Sequence, residues 1–356
     1  MKQLSFCLII VFLFIGCSSK KKNGIYVQTV YKGKIQVFSK KTYKKMGSYR
    51  IQRYARDMDF YQGKIYVTVP GHIELFSKGG NAIQILDLNT RSINTIKVSG
   101  MPDRSDISDK YFITISPGNG ISGIVTVIDI EATKKIIEYS VIGDSLGTEK
   151  YLSSGKILNN KFFLSLNQNS DITFDYLILQ EFVLTKNKLI LEREFRTKDY
   201  LIAEGLDVFS NKIYLSPMNK KEYKYEKGVL SKRSKNNKEI LVISLDSFKI
   251  IKIIKLKGES PFLIKINPNN KKGYVTHFDS VGNYNQLSVI DVERDVLLKT
   301  INLPYGRGLG IDIDKKTGYV YVTNQIDRSF SVIHPDTDKI IKTIKLNDSP
   351  KAILVL

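Results

Sequence analysis

The chain has 356 residues, 42% of them hydrophobic, and carries a formal net charge of +20. That apolar content is enough for a large core and excludes a disordered chain, while 20 Tyr and 17 Phe, with many Ile and Val, favour strands. Two Cys and three His leave little material for disulfides, zinc or thiol chemistry.

Lys2 and the unbroken run of apolar and small residues Leu4–Ile15 open the chain. As a helix this run would rise only about 18 Å at roughly 1.5 Å per residue, short of a hydrocarbon core of about 30 Å. It therefore reads as a signal-peptide core rather than a span. Phe14-Ile-Gly-Cys17 closes the run, and Ser18-Ser-Lys-Lys-Lys22 follows. A small residue before a Cys, with a polar tether behind it, resembles the lipobox of bacterial lipoproteins, Phe14 standing where Leu is usual. The resemblance implies cleavage before Cys17, lipid on its sulfur and acylation of its amino group. Two or three acyl chains satisfy the requirement for stable anchoring, so residues 1–16 are read as signal, 17–23 as lipidated tether, and the body as exported to the cell envelope. Cys7 would leave with the signal, and the body would then contain no thiol.

From Gly24 onward the chain repeats. Gly24-Ile-Tyr-Val27, Lys34–Ser39 and Lys45–Ile51 are three short apolar runs with no run before them. Gly63–Thr68, Ala82–Asn89 and Ser92–Val98 repeat the scheme, as do Tyr111–Pro117, Gly123–Ile130 and Lys135–Ile142. Tyr151–Thr197 keeps long apolar runs but loses the turn residues. Gly205–Phe209, Lys212–Pro217, Glu239–Asp246 and Lys249–Leu256 form the next unit, then Pro261–Pro268, Gly273–Asp279, Gln286–Val292 and Asp295–Leu303. Gly308–Asp314, Gly318–Asn324, Ser329–His334 and Lys339–Leu346 form the last full unit. Four strands about every 40 to 50 residues describe a β-propeller blade. The first unit lacks a first strand, and the tail Ser349–Leu356 is a first strand with no blade after it. The two together complete a seventh blade, so the expected fold is all-β, a single propeller over 24–356 of seven four-stranded antiparallel blades closed by the C-terminal strand.

Tyr321-Val-Thr-Asn324, inside the run from Gly318 to Leu346, resembles the YVTN β-propeller repeat; Gly273–Leu303 matches it in outline. The resemblance is good over Ser260–Leu356, fair over Tyr54–Ile142 and weak over Tyr151–Thr197. It implies an exported or surface-located propeller, similar also to lactonase-type and quinoprotein-type propellers, with no defined biochemical role.

Catalytic motifs are sparse. His72, His277 and His334 fall in different blades, and neither HExxH nor CxxC occurs, so no metal site is expected. His277 ends a second strand and reads either as a group aimed at the upper loops or as a solvated loop residue. No G-x-S-x-G occurs, and Gly118–Gly123 joins two strands rather than opening a helix, so it is turn chemistry and not a phosphate cradle. Ligand sites favour the mouths of closed β architectures. First strands and the connections entering them place Arg56, Asp57, Asp59, Arg104, Asp106, Glu149, Lys150, Glu204, Asp207, Arg307 and Asp312 toward the ring axis. Such a set suits an anionic small molecule, a cation such as Ca²⁺, or general acid–base work; it is also what the polar ends of any propeller channel present.

Charge is densest in the insertion 219–238, where Lys220, Lys221, Lys224, Lys227, Lys232, Arg233, Lys235 and Lys238 face two Glu. It is expected to be an exposed, mobile arm able to grip an anionic envelope polymer, lipid headgroups or a partner protein. Lys, Ile and Asn are heavily used throughout, which offers composition bias as the plainer explanation. Export argues against nucleic acid as ligand. The expectation is a membrane-anchored binding or scaffolding propeller, without cofactor and leaning away from enzyme; a lactonase-like or other hydrolase using rim carboxylates is the alternative, and a structural surface-layer component the second.

Overall fold

The computed structural model describes residues 23–71, 81–117, 122–142, 148–170, 173–226, 229–278, 285–304 and 306–356. Cys17 with its apolar run, and His72, lie outside the described residues. No helix among the described residues is long and apolar enough to cross a membrane.

Seven antiparallel sheets, each running from an inner first strand to a more exposed fourth, form the blades of a propeller. The first strands of blades 2 to 7 are Met58–Tyr61, Arg104–Ile107, Thr148–Leu158, Tyr200–Phe209, Pro261–Asn267 and Ile311–Ile313. Blade 1 joins the two ends of the chain: Pro350–Val355 pairs with Ile25–Thr29, with Ile25 opposite Val355 and Val27 opposite Ile353. The Leu356 N–H adds a 3.0 Å bond to the Gly24 carbonyl. The expected closure of the ring is therefore present.

The core lies between blades rather than at one centre. Tyr66, Ile83 and Ile85 of blade 2 pack on Phe112 and Ile128 of blade 3. Ile25 and Val27 of blade 1 pack on Tyr321, Phe330 and Val332 of blade 7. Second strands are apolar on both faces because both are covered, which is why they read as continuous runs.

The repeated letters of those second strands each have a physical task. In Tyr321-Val-Thr-Asn324, Tyr321 and Val322 are buried between blades. The Thr323 hydroxyl accepts from the Gly310 N–H at 2.8 Å, tying the second strand to its own first strand. Asn324 donates to Ser329 and Ser331 at 2.9 and 3.0 Å. Ser216 at the corresponding place donates to the Gly205 carbonyl and, at 2.6 Å, to the Phe262 carbonyl of the next blade.

Third and fourth strands are joined by one recurring turn. Asp87, Asp129, Asp291, Ser39 and Ser244 each accept backbone N–H bonds from residues two or three positions on. The residue four positions on then takes a positive φ: Arg91, Thr133, Asp295, Tyr43 and Phe248. In blade 4 Thr185 caps a different connection, accepting from Lys188 at 3.2 Å. Loss of the shared turn explains why Tyr151–Thr197 reads as the weakest repeat.

The insertion 219–238 differs from expectation. Where an exposed, mobile arm was expected, the second strand of blade 5 continues as Lys212–Glu226, and Val229–Asn236 returns beside it, Asn219 opposite Asn236 and Glu226 opposite Val229. Alternation of Lys with Tyr223 and Tyr225 suits an extended strand, and the ladder that begins in the blade carries it outward.

A second repeated contact locks neighbouring blades. Lys212 and Tyr214 of blade 5 both reach Asp295 in the turn of blade 6, each at 2.7 Å. Lys272 and Tyr274 of blade 6 reach Asp338 in the turn of blade 7 at 2.9 and 3.3 Å. Blade 2 carries the same Lys64-Ile-Tyr66, but the partner position in blade 3 is Thr133, whose φ is +51°. Among the described residues the buried Tyr66 hydroxyl has no hydrogen-bond partner, and it lies beside a cavity of about 440 Å³ lined by Lys64, Tyr66 and Asp129.

Asp338→Ala should therefore lower stability in urea unfolding by about 2 kcal/mol, the scale of hydrogen bonds to a charged group. Thr133→Asp should raise it, because it supplies the missing acceptor and replaces a β-branched residue at a positive φ. No gain from the second change would show that the Asp295 and Asp338 contacts do not set blade-to-blade stability.

Candidate functional site

Each first strand turns one side chain per pleat toward the axis. The residue paired with the buried second-strand position defines a tier: Asp59 opposite Tyr66, Asp106 opposite Ile113, Lys156 opposite Phe163. Asp207 opposite Tyr214, Lys265 opposite Tyr274, Asp312 opposite Tyr321 and Leu354 opposite Tyr26 complete it. These residues line a channel cavity of about 130 Å³.

Most of the carboxylates in this tier are already engaged. Asp106 accepts from the Ile157 N–H at 2.7 Å, Asp207 from the Ile266 N–H at 2.8 Å and Asp312 from the Val355 N–H at 2.8 Å, each in the next blade. Asp57, beside the tier, does the same for the Ser105 N–H at 3.1 Å. Lys156 lies 3.3 Å from Asp106 and 3.5 Å from Asp207. Burial opposes its charge, but the two carboxylates outweigh burial and hold its pKa above the usual lysine range. Lys265 lies 3.9 Å from Asp312.

Asp59 is the exception. Its Oδ2 is buried without a hydrogen-bond partner among the described residues. Burial first, then the charges of Asp57 and Asp106, push its pKa up to about 7.

Above this tier the channel widens into a mouth of about 430 Å³. Arg104 and Glu204 line both cavities and separate them; their side chains meet at 3.1 Å. Arg104 also stacks over Phe262 at 5.0 Å and lies 3.9 Å from Asp103. Arg56 reaches Asp103 at 3.4 Å. Arg307 stacks over Phe278 at 4.9 Å, and Phe262 and Phe278 lie 5.2 Å apart. Lys351 of the closing strand completes the wall. It is 7% exposed, and burial followed by the charge of Arg104 pushes its pKa down to about 8. Burial raises Glu204, whereas Arg104, Lys351 and Arg56 outweigh burial at Asp103 and lower it.

Of the residues singled out in the sequence, Arg56, Arg104, Glu204 and Arg307 come together at the mouth. Asp59, Asp106, Asp207 and Asp312 lie one tier deeper, inside the channel rather than on its rim. His277 reaches neither cavity and is no solvated loop residue. It is 1% exposed inside blade 6, its ring nitrogens 2.7 Å from the Glu259 carbonyl and 2.9 Å from Ser288 Oγ. Burial lowers its pKa to about 4, so the ring is a neutral structural group. The Glu149 side chain lies outside the described residues. In the basic ribbon, Lys220 pairs with Glu239 at 2.9 Å and Lys238 with Glu259 at 2.9 Å. Lys235 is exposed; Lys227 and the side chains of Lys221, Lys224, Lys232 and Arg233 lie outside the described residues.

Sequence reasoning missed Asp103, Lys156, Lys265, Lys351, Tyr151, Phe262 and Phe278. Lys156 and Lys265 occupy the place of the channel Asp in their blades, and aligning first strands by register would have found them. No group of three or more metal-ligating side chains occurs among the described residues.

No protein-family model matches the chain, and no curated protein matches it. Solved structures do. A putative 6-phosphogluconolactonase from Bacteroides uniformis is similar at TM-score 0.67 and 13% identity, covering 94% of this chain and 99% of the other. One from Bacteroides fragilis is similar at TM-score 0.63 and 14% identity, covering 96% and 99%. Dihydro-heme d1 dehydrogenase NirN, in complex with DHE, is similar at TM-score 0.59 and 12% identity, covering 94% and 75%. At these identities the likeness establishes the seven-bladed propeller and no activity.

The state of Asp59 gives a signed pH dependence. Its folded pKa of about 7 stands above the ordinary aspartate value, so its contribution to stability is fully present below the unfolded pKa and lost as pH rises through the folded one. Asp59→Asn should raise the melting temperature relative to the parent at pH 8, and the gap should close by pH 5. A gap independent of pH would show that Asp59 ionises normally.

Proposed function

We propose that the protein is an exported, lipid-anchored binding propeller of the cell envelope whose channel mouth captures a small organic anion. The observation that carries this reading is the composition of the mouth: Arg56, Arg104, Arg307 and Lys351 against Asp103 and Glu204, around a cavity of about 430 Å³ with two Phe rings in its wall. That volume falls within the roughly 300–1,000 Å³ of small-molecule clefts. A net excess of cations attracts an anion, and the rings offer an apolar surface for its carbon skeleton. Membership of the YVTN-repeat group belongs with this reading; the support is the set of tasks that Tyr321, Val322, Thr323 and Asn324 perform.

A hydrolase using channel carboxylates is the less favoured reading. Asp57, Asp106, Asp207 and Asp312 are each occupied by a backbone N–H of the next blade. Asp103 and Glu204 are held by Arg56 and Arg104, and Asp59 faces the smaller cavity of about 130 Å³ behind the Arg104–Glu204 pair.

Isothermal titration of aliphatic and aromatic carboxylates and phosphates tests the site. Arg307→Ala should weaken the best ligand by about ten-fold, equivalent to about 1.4 kcal/mol, and added salt should weaken it further. Equal affinity in parent and variant would place the ligand elsewhere.

Anchoring has its own test. Cys17→Ser should move the protein from the membrane fraction to the soluble fraction, whereas a Cys17→Ser protein that stays membrane-bound would exclude lipid on this residue.

A further inference from the structure

We propose that Lys351 is a carbonyl-reactive amine, and that the mouth holds a small anionic aldehyde or 2-oxo acid as a reversible imine on its Nζ. This rests on the reading of the mouth as an anion site and names the ligand class.

Lys351 is the one cation in the mouth whose side chain has no hydrogen bond or ion pair among the described residues. Arg56 and Arg104 take Asp103 and Glu204, and Arg307 lies against Phe278. A lysine that is 7% exposed is ordinarily paired, because desolvating an ammonium without a partner is costly. Here the charged groups facing it are Arg56 ahead of blade 2, Asp103 and Arg104 of blade 3, and Glu204 of blade 5. Its own strand, Pro350–Val355, carries no other ionisable group.

The balance of burial and neighbouring cations puts the amine at about pKa 8, so a useful fraction is neutral near physiological pH. A desolvated lysine beside another cation is an activated nucleophile toward carbonyl groups. The Nζ lone pair attacks the carbonyl carbon, the C=O electrons move to oxygen, and proton transfer gives a carbinolamine. Loss of water then forms the C=N bond. Amine and carbonyl give imine and water, with no oxidant or reductant. The acid group of the same ligand meets Arg56 and Arg307, which line the cavity with Lys351.

The experiment treats the intact protein with pyridoxal 5′-phosphate or glyoxylate, reduces with borohydride and maps modified lysines by peptide mass spectrometry. Lys351 should be trapped about ten-fold or more ahead of exposed lysines such as Lys249 and Lys342, since each unit of pKa changes the free-amine fraction ten-fold. Lys351→Met should abolish that fast site while leaving slow surface labelling. Trapping of Lys351 no faster than Lys249 in the parent protein would overturn the proposal without depending on any variant. Titration with phenyl phosphate, which cannot form an imine, separates the two readings. If it binds the mouth while Lys351 is not trapped, the anion site stands and the imine fails. If it does not bind, the anion site itself is wrong.

Discussion

The constraint on which the ring depends is the inner edge of each blade. A first strand pairs on one side only, and its other edge faces the axis with N–H groups that water reaches poorly. The molecule satisfies four of these edges with carboxylates from the preceding blade: Asp57 to Ser105, Asp106 to Ile157, Asp207 to Ile266 and Asp312 to Val355. A carboxylate that accepts a backbone N–H does two things at once, capping an edge and stitching adjacent blades. The channel is acidic for that reason before it is acidic for any chemical one.

The same solution creates an electrostatic cost, which the channel offsets locally. Lys156 sits between Asp106 and Asp207, and Lys265 approaches Asp312. Asp59 caps no neighbour and is left among like charges, so it gives up part of its own charge. With the deep carboxylates committed to structure, the chemical freedom of the molecule moves outward. At the mouth, cations outnumber carboxylates, and the aromatic rings of Phe262 and Phe278 are held in place by Arg104 and Arg307.

Closure and site are coupled. Lys351 belongs to the strand that pairs with Ile25–Thr29 and seals the ring. Its carbonyl also stands 2.5 Å from where a Cβ on Gly310 would be, so only glycine lets the last two first strands come this close. The mouth is therefore complete only when the N-terminal and C-terminal ends of the chain have met, and the site reports on the integrity of the whole propeller.

The sequence by itself determined the blades, because period-two apolar runs and Asp- or Ser-led turns are local signals. It also determined the closure, because a missing first strand at Gly24 and a surplus one at Ser349 can only complement each other. It identified Arg56, Arg104, Glu204 and Arg307 as axial. Depth along the axis was decided by tertiary structure alone: Asp59 and Asp312 lie within their first strands and went to the interior tier, while Arg56 and Arg307 precede theirs and stayed at the mouth. His277 was decided there too, since Glu259 and Ser288 that surround it come from separate parts of the chain. The strand pairing of the ribbon after Met218 was not legible, because composition reports charge but not the ladder that an existing strand can extend. Lys351 shows the limit most plainly. Its place in a strand was legible, but its lack of a partner among the described residues is a property of seven blades meeting at one cavity.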